Sequence, residues 1–137
     1  MIDMTLIRSL LFVPGSRPDR FDKALRSGAD AIVIDLEDAV PSSCKDRARE
    51  EVTQFVGSSP SANGRVPIFV RPNSLSCREG LRDMDRLLDG ANRLAGILLP
   101  KADASSMQVL SDITRPVRED IVLGALIETA RGLSDCE

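Results

Sequence analysis

The sequence of 137 residues contains no histidine, no tryptophan and no tyrosine. The lack of histidine excludes Ser-His-Asp and Cys-His nucleophile pairs, as well as histidine-ligated zinc, from the chemistry of these residues. Catalysis would have to rely on carboxylates, arginine, lysine, hydroxyl groups or a bound ion.

Cysteines and long apolar runs are also scarce. Cys44, Cys77 and Cys136 are odd in number and form no C-x-x-C pair, which argues against a disulfide framework or a zinc ribbon. No apolar run approaches the roughly 20 residues of a membrane-spanning helix, and the run at 10–13 is too short for a signal peptide. We therefore expect a cytoplasmic protein with no membrane partner.

Neither basic charge nor aromatic side chains are abundant enough for a nucleic-acid surface. Lys and Arg number 18 against 21 Asp and Glu, the net charge is −3, and the only aromatic residues are four phenylalanines. Duplex binding needs a basic stripe, and binding of single strands needs aromatic rings for base stacking. We expect no nucleic-acid partner. With 42% hydrophobic and 28% charged residues, the composition fits one globular domain with a sizeable core.

Five short apolar runs predict buried strands, because none of them alternates strictly between apolar and polar positions. These runs cover residues 6–13, 31–34, 68–70, 96–99 and 121–127. Four stretches with helical periodicity lie between them. The first is expected to begin at a Ser16-x-x-Asp19 capping box and to end near Gly28. The second begins near residue 42 or 43 and ends at 57, the third ends at 90, and the fourth ends before 116.

This alternation of strands and helices predicts a parallel sheet with right-handed helical crossovers. Its repeat of roughly thirty residues fits one βα unit of either an open doubly wound sheet or a (β/α)8 barrel. Residues 57–66 are expected to form a polar surface loop and not a domain linker.

Charged residues follow the predicted strands at the points where they end. They are Arg17; Asp35, Glu37 and Asp38; Arg71 with Asn73; Lys101; and Glu128 with Thr129. Because the carboxyl ends of parallel strands meet at one edge of the sheet, we expect these side chains to form one site. Carboxylate oxygens suit Mg2+, and the guanidinium of Arg71 suits a carboxylate or a developing enolate oxygen.

Each of these residues also has a purely structural interpretation. The acids of 35–38 would cap the following helix, Lys101 would be a solvated loop lysine, and Arg71 would pair with a nearby acid. Glu128 is less easily explained in this way, since it follows a buried apolar run at the start of a predicted helix.

Five motifs together resemble the citrate lyase beta subunit-like branch of the HpcH/HpaI aldolase superfamily. They are "RSLLFVPGSRPDRFDKA", "GADAIVIDLEDAVP", "FVRPN", "GILLPKAD" and "ALIETARGL", in this order, and they cover nearly the whole chain. The resemblance implies a TIM barrel of about 250 residues. Residues 1–137 would then be the N-terminal portion of a single barrel domain, with about five strands and four helices. A half barrel leaves strand edges unpaired, so we expect a truncated chain or a homo-oligomer.

The resemblance also implies roles for individual residues. Glu128 would be a metal ligand, with the second acidic ligand of the family lying beyond this chain, and Arg71 would bind the oxygen of substrate or enolate. Glu37 and Asp38 would take part in catalysis, and Asp35 would reach the metal through water. The resemblance also implies that three cations contact the substrate, a thioester of coenzyme A (CoA). Arg17 and Lys23 would bind the CoA phosphates, and Lys101 would bind the substrate at the ends of the strands.

The implied activity is a Mg2+-dependent retro-Claisen cleavage of a 3-hydroxyacyl-CoA thioester of the citryl-CoA or malyl-CoA type. A sibling branch, the aldolases that act on free hydroxy-oxo acids, has a histidine where this chain has Asp38, which favours the CoA branch. The alternatives are a class II aldolase or a thioesterase on the same scaffold, and a catalytically silent remnant that binds other subunits. The residues do not distinguish one acyl-CoA from another.

Overall fold

The computed structural model describes residues 6–58 and 66–136. Five strands and five α-helices alternate along the chain. The strands are β1 (Leu10–Pro14), β2 (Ala31–Asp35), β3 (Ile68–Arg71), β4 (Leu94–Leu99) and β5 (Val122–Ala125). The helices are α1 (Phe21–Leu25), α2 (Lys45–Gly57), α3 (Arg78–Leu88), α4 (Ala104–Thr114) and α5 (Ala130–Ser134). Short 3-10 turns at Pro18–Arg20 and Ser42–Cys44 lead into α1 and α2.

The five strands form one parallel sheet in the order β1-β2-β3-β4-β5. Every strand therefore lies beside the strand that follows it in sequence. A doubly wound sheet reverses its strand order at a switch point, and this sheet has no such reversal. The order is that of consecutive βα units of a (β/α)8 barrel, which decides between the two architectures that the repeat length allowed.

The sheet is covered by apolar side chains on both of its faces. On the helical side, Ile32 and Ile34 of β2 pack in one cluster with Val52 and Leu87, while the opposite face gathers Val33 with neighbouring strand residues. Burial on both faces explains why the apolar runs lack alternation.

Gly96 shows how closely that opposite face is packed. A Cβ built at Gly96 would lie 2.5 Å from the Phe69 ring, so only glycine leaves room for this aromatic side chain.

Several strand boundaries differ from the prediction, three of them by two residues or more. β1 begins at Leu10 and not at residue 6, β4 begins at Leu94 and not at residue 96, and β5 ends at Ala125 and not at residue 127. The predicted capping box at Ser16 and Asp19 is wrong, because the Asp19 carboxylate accepts two hydrogen bonds from Arg17 (2.8 and 2.7 Å) and caps no backbone N–H.

The helices differ from the prediction in three further respects. α1 ends at Leu25, three residues before Gly28, although Gly28 does adopt a φ of +87°. A capping box is present instead at α4, where Asp103 and Ser106 exchange side-chain and backbone hydrogen bonds. The short helix α5 follows Glu128, where a helix was expected to begin, although it was not among the four helices counted between the strands.

Two expectations concern the surface and the membrane. Most of the predicted polar loop at 57–66 lies outside the described residues. Among the helices of residues 6–58 and 66–136, none combines the length and the apolar character that crossing a bilayer requires.

Candidate active site

Asp35 and Arg71 form the central ion pair at the carboxyl end of the sheet. The parallel register of β2 and β3 sets these two residues opposite each other. Arg71 donates from Nε and Nη2 to the two carboxylate oxygens of Asp35, each at 2.7 Å. Asp35 also accepts from the backbone N–H groups of Glu37 (2.9 Å) and Ala39 (3.0 Å), and the residue is only 1% exposed. Asp35 therefore ties the turn after β2 to the tip of β3.

The environment of this pair acts on both pKa values. Burial alone would raise the pKa of Asp35, but the hydrogen bonds from Arg71 and from two backbone N–H groups outweigh it and hold the pKa below its usual range. The hydrogen bond to Asp35 raises the pKa of Arg71, against the opposing effect of burial. Both groups are therefore charged at neutral pH.

The remaining guanidinium nitrogen of Arg71, Nη1, is not bonded to Asp35 and faces Glu37. Nη1 of Arg71 lies 3.3 Å from Oε2 of Glu37, and the guanidinium carbon lies 5.2 Å from the centre of the Phe12 ring. Glu37 is 8% exposed, and its Oε2 is a buried oxygen without a hydrogen-bond partner among the described residues. A buried carboxylate oxygen in this state has a lone pair available for a proton donor or a cation.

Lys101 joins the tip of β2 to the residues that follow β5. Its backbone N–H donates to Oε1 of Glu128 (2.9 Å), and its Nζ donates to Oε1 of Glu37. Nζ also lies 3.9 Å from Asp38, whose side chain is 70% exposed. The hydrogen bond to Glu37 raises the pKa of Lys101, despite a small opposing effect of burial. Lys101 is thus not the free loop lysine of the structural interpretation.

The backbone at Lys101 is strained. Its φ of +50° lies in the left-handed region, and it is the only described residue other than glycine that has a positive φ. For a side-chain-bearing residue this conformation costs about 1 kcal/mol or more, and such residues cluster at functional sites. Here the strain allows one residue to contact Glu128 through its main chain and Glu37 through its side chain.

The donor set fits a hard cation in part. Glu128 is exposed and immediately precedes Thr129, whose hydroxyl caps α5 by accepting from Gly132 N–H (3.0 Å). The Glu128 carboxylate and Oε2 of Glu37, which accepts no hydrogen bond from the described residues, are oxygen donors of the type that Mg2+ prefers. In residues 6–58 and 66–136, however, no group of three or more His, Cys, Asp or Glu side chains could hold a metal ion. Mg2+ commonly keeps several waters and takes one or two protein carboxylates, so two donors remain compatible with it.

The two cations expected at a CoA phosphate lie together beside β1. Arg17 and Lys23 both line a cavity of about 680 Å³ whose wall also includes Phe12, Arg20 and Arg26. Arg17 is held by Asp19, and this hydrogen bond raises the pKa of Arg17. Arg20 and Arg26 were not predicted as site residues from the sequence, although they belong to a cluster of basic residues between positions 17 and 26 that could have pointed to them.

A layer of polar residues beneath the site was missed from the sequence. Lys45, at the start of α2, donates to the tip of β2 and to Asn73, and Asn73 is bonded in turn to the buried Asp83. Asp83 accepts from Arg49 at 2.7 Å. Only Asn73 had been expected at the strand ends, and no local pattern pointed to Lys45, Arg49 and Asp83, whose contacts join residues between 8 and 34 positions apart in the sequence.

The sequence of residues 8–137 matches the family described as HpcH/HpaI aldolase/citrate lyase. The chain belongs to this family. Members of known activity among its relatives include an L-malyl-CoA/beta-methylmalyl-CoA lyase of Rhodobacter capsulatus, which is 35% identical over 140 residues. That match takes in 96% of this chain and 43% of the relative. A (3S)-malyl-CoA thioesterase of Cereibacter sphaeroides is 33% identical over 127 residues, which are 92% of this chain and 42% of the relative.

A solved structure supports the same family assignment. The citrate lyase beta subunit of M. tuberculosis, complexed with oxaloacetate and magnesium, superposes with a TM-score of 0.71 at 32% identity. The match covers 96% of this chain and 53% of that protein. The chain thus spans about half the length of the relatives it matches. The expected relation to citrate lyase beta subunits and the α/β fold of this barrel family are both confirmed.

Proposed function

We propose that this chain provides part of the active site of a Mg2+-dependent carbon-carbon lyase that acts on 3-hydroxyacyl-CoA thioesters of the citryl-CoA or malyl-CoA type. The observation that carries the proposal is the bridge made by Lys101. It joins Glu128 to Glu37, whose buried Oε2 lies 3.3 Å from Nη1 of Arg71 and accepts no hydrogen bond from residues 6–58 and 66–136. The lyase and thioesterase relatives both act on CoA esters, and one structural relative is complexed with magnesium.

Glu128 is the residue of this chain that would hold the ion, because Oε1 of Glu37 is bonded to Lys101 and its Oε2 is needed as a base. We assign direct binding to Glu128, and we assign Asp35 only an indirect role, since both of its oxygens accept hydrogen bonds from Arg71 and from the backbone. When bound, Mg2+ supplies Lewis-acid polarisation of the hydroxyl and carboxylate oxygens of the acyl group.

The remaining steps fall to side chains of this chain. Oε2 of Glu37 accepts the proton of the substrate hydroxyl, and Asp38 provides a further carboxylate 3.9 Å from Nζ of Lys101. As the hydroxyl becomes a carbonyl, the carbon-carbon bond breaks and its electron pair moves into the thioester enolate. Nη1 of Arg71 and Nζ of Lys101 stabilise the negative charge that develops there. The protonated Glu37 then gives this proton to the enolate carbon, which completes the thioester product and restores the Glu37 carboxylate.

Arg17 and Lys23 are proposed to bind the phosphates of CoA in the cavity beside β1. Four cations line this cavity together with the apolar side chains of Leu11 and Phe12, a combination that suits a ligand with both phosphate and apolar parts.

The test measures product formation from malyl-CoA and citryl-CoA with and without Mg2+. We expect Mg2+-dependent release of acetyl-CoA and an oxo acid, lost in Glu128→Gln and in Arg71→Met. Asp112→Asn removes an exposed carboxylate of α4 and serves as the matched control, with activity unchanged. Full turnover in both site variants would contradict these roles. Because the relatives are about twice as long, the assay includes the complete reading frame to which these residues belong.

The thioesterase relative makes hydrolysis the second candidate. The same assay separates the two activities, because hydrolysis releases free CoA and the intact hydroxy acid, whereas cleavage gives acetyl-CoA and an oxo acid. A class II aldolase would instead cleave a free hydroxy-oxo acid. A catalytically silent chain would form none of these products, although its Mg2+ binding could persist.

We also propose that the protein is a cytoplasmic homo-oligomer. The exposed apolar side chain of Leu10 on β1, at 43%, supports an association at this edge that leaves the cavity lined by Leu11 and Phe12 open to CoA. Light scattering coupled to size-exclusion chromatography tests it, and a monomer at micromolar concentration would contradict it.

A further inference from the structure

Lys45 lies at the N-terminus of α2, a position where a positively charged side chain does not stabilise the helix. It is the first residue of α2, whose N-terminus carries no side-chain cap. The helix dipole disfavours a cation at this end. The stabilising contribution of Lys45 must therefore come from contacts that it makes elsewhere.

Those contacts saturate its ammonium group. Nζ donates to the carbonyl oxygens of Leu36 (2.6 Å) and Glu37 (2.5 Å) and to Oδ1 of Asn73 (2.7 Å). An ammonium has three N–H donors, and here each has its own acceptor. These are charge-assisted hydrogen bonds, which are stronger than neutral ones.

The two carbonyl groups lie on either side of one α-carbon. The carbonyl of Leu36 belongs to the peptide plane that precedes the α-carbon of Glu37, and the carbonyl of Glu37 belongs to the plane that follows it. Since peptide planes are rigid, an ammonium that holds both of them limits the φ and ψ of Glu37. The direction of the Glu37 side chain is limited with them.

The third acceptor anchors Lys45 to the interior. Asn73 donates from its backbone N and from Nδ2 to Oδ2 of Asp83, at 2.8 and 2.7 Å. Asp83 is fully buried, and its other oxygen accepts from Arg49. The turn that carries Glu37 is thereby connected to the packed interface of α2 and α3.

We propose that Lys45 is a positioning residue, which fixes the peptide planes around Glu37 and keeps the Glu37 carboxylate between Lys101 and Arg71. Its contact with the site is made through the backbone of Glu37. The consequence for catalysis rests on the proposed lyase function, whereas the positioning of Glu37 can be measured without any turnover.

The lysine content makes this positioning directly observable. The sequence has only three lysines, Lys23, Lys45 and Lys101. In a protein labelled with 13C and 15N lysine, each gives its own side-chain NMR signals, and the exposed Lys23 is an internal reference. In Lys45→Met we expect the Lys101 ε-carbon signal to move toward that of Lys23, because Lys101 loses its fixed contact with Glu37. We also expect hydrogen exchange at the amides of Glu37 and Ala39 to rise by roughly tenfold to a hundredfold.

A matched control lies on the same helix. Arg47→Met removes the same charge from α2, but the Arg47 side chain is 83% exposed and forms an ion pair with Glu51 of the same helix at 3.7 Å. It should leave the Lys101 signal and both amides unchanged. In Lys45→Ala, added n-propylammonium should restore the Lys101 signal, whereas tetramethylammonium, which has no N–H group, should not. A general loss of stability would not show this difference between two cations.

Two results would overturn the proposal. One is a folded Lys45→Met whose Lys101 signal and amide exchange match the wild type. If that variant does not fold, the wild type still decides, since hydrogen bonds to two carbonyls predict scalar couplings between Nζ of Lys45 and the carbonyl carbons of residues 36 and 37. The second result that would overturn the proposal is the absence of these couplings in the wild type, together with a Lys45 signal that coincides with the Lys23 signal.

In an active wild type, Lys45→Met should lower kcat far more than it changes KM. A wild type without turnover would refute the lyase and leave the NMR result standing.

Discussion

The inner strands β2 and β4 and the edge strands β1 and β5 are built from similar apolar residues but differ sharply in burial. All five residues of β2 and all six of β4 are buried, whereas Val13 is the only buried residue of β1 and β5 has none. Apolar sequence alone therefore does not determine burial. A strand becomes buried when it has neighbouring strands on both sides and helices packed over it.

The same division runs through the candidate site. At the tips of β2 and β3, Asp35 and Arg71 are both largely buried and neutralise each other's charge. Glu128, which follows the edge strand β5, is exposed and accepts one hydrogen bond through Oε1. The charged residues at the ends of the inner strands are thus fixed by mutual contacts, whereas the Glu128 carboxylate after the edge strand β5 keeps an oxygen that could bind an ion. Substitutions on the two sides should have different consequences.

The largest effect is expected beneath the inner strands, at Arg49. It is buried and bonded to Asp46, Glu79 and Asp83. Burial would lower the pKa of Arg49, but these hydrogen bonds outweigh it and raise the pKa. Arg49→Met removes the cationic partner of the buried Asp83, which should lower the free energy of unfolding by about 3–5 kcal/mol. Urea denaturation measures this, with Arg47→Met expected to stay within about 0.5 kcal/mol of the wild type. Equal midpoints for the two variants would show that the buried network contributes no stability.

This buried layer also marks the limit of prediction from the sequence. The parallel sheet and the clustering of charged strand ends follow from the alternation of strands and helices, so Asp35, Arg71 and Lys101 were found together, whereas the strand order was left open until the structure gave it. Lys45 and Asp83 were missed because their partners are set by how α2 and α3 pack against the sheet. The false capping box at Ser16 has a similar cause, since the pattern does not show that Arg17 takes the Asp19 carboxylate.

The difference in burial between inner and edge strands should appear when one apolar residue of each kind is replaced by alanine. Ile97 lies in β4 and is fully buried, whereas Leu10 lies in β1 and is 43% exposed. Ile97→Ala creates a cavity and should cost about 2–5 kcal/mol. Leu10→Ala should cost less than about 1 kcal/mol, because much of its side chain already contacts water. Denaturant midpoints of the two variants test this. A comparable loss at Leu10 would mean that another chain covers β1 in solution.

A smaller, pH-dependent effect is expected at Asp35. Its pKa is lowered in the folded protein, so its stabilising contribution is present above the unfolded value of about 3.9 and is lost as the pH falls through the folded value. Asp35→Asn should therefore cost about 1–3 kcal/mol near pH 7, with the difference from wild type shrinking below about pH 4. Thermal unfolding between pH 3 and pH 7 measures it. A difference that does not change with pH would show that the Asp35 charge contributes nothing to stability.

The smallest effect on stability is expected at the edge, where Arg17 pairs with Asp19. Their side chains are 47% and 60% exposed, and an exposed pair of this kind gains little because water and salt screen it. Arg17→Gln should leave the midpoint of thermal unfolding unchanged.

Binding of CoA should nevertheless weaken in this variant, by up to about fivefold, if Arg17 contacts a phosphate. Isothermal titration with CoA measures the change, and Arg47→Gln, which removes an exposed cation paired with Glu51 on α2, is the control. The result separates two uses of an exposed cation. A lowered unfolding midpoint with unchanged CoA affinity would make Arg17 a structural residue of the β1 turn, whereas the reverse result would place the CoA phosphates in the cavity beside β1.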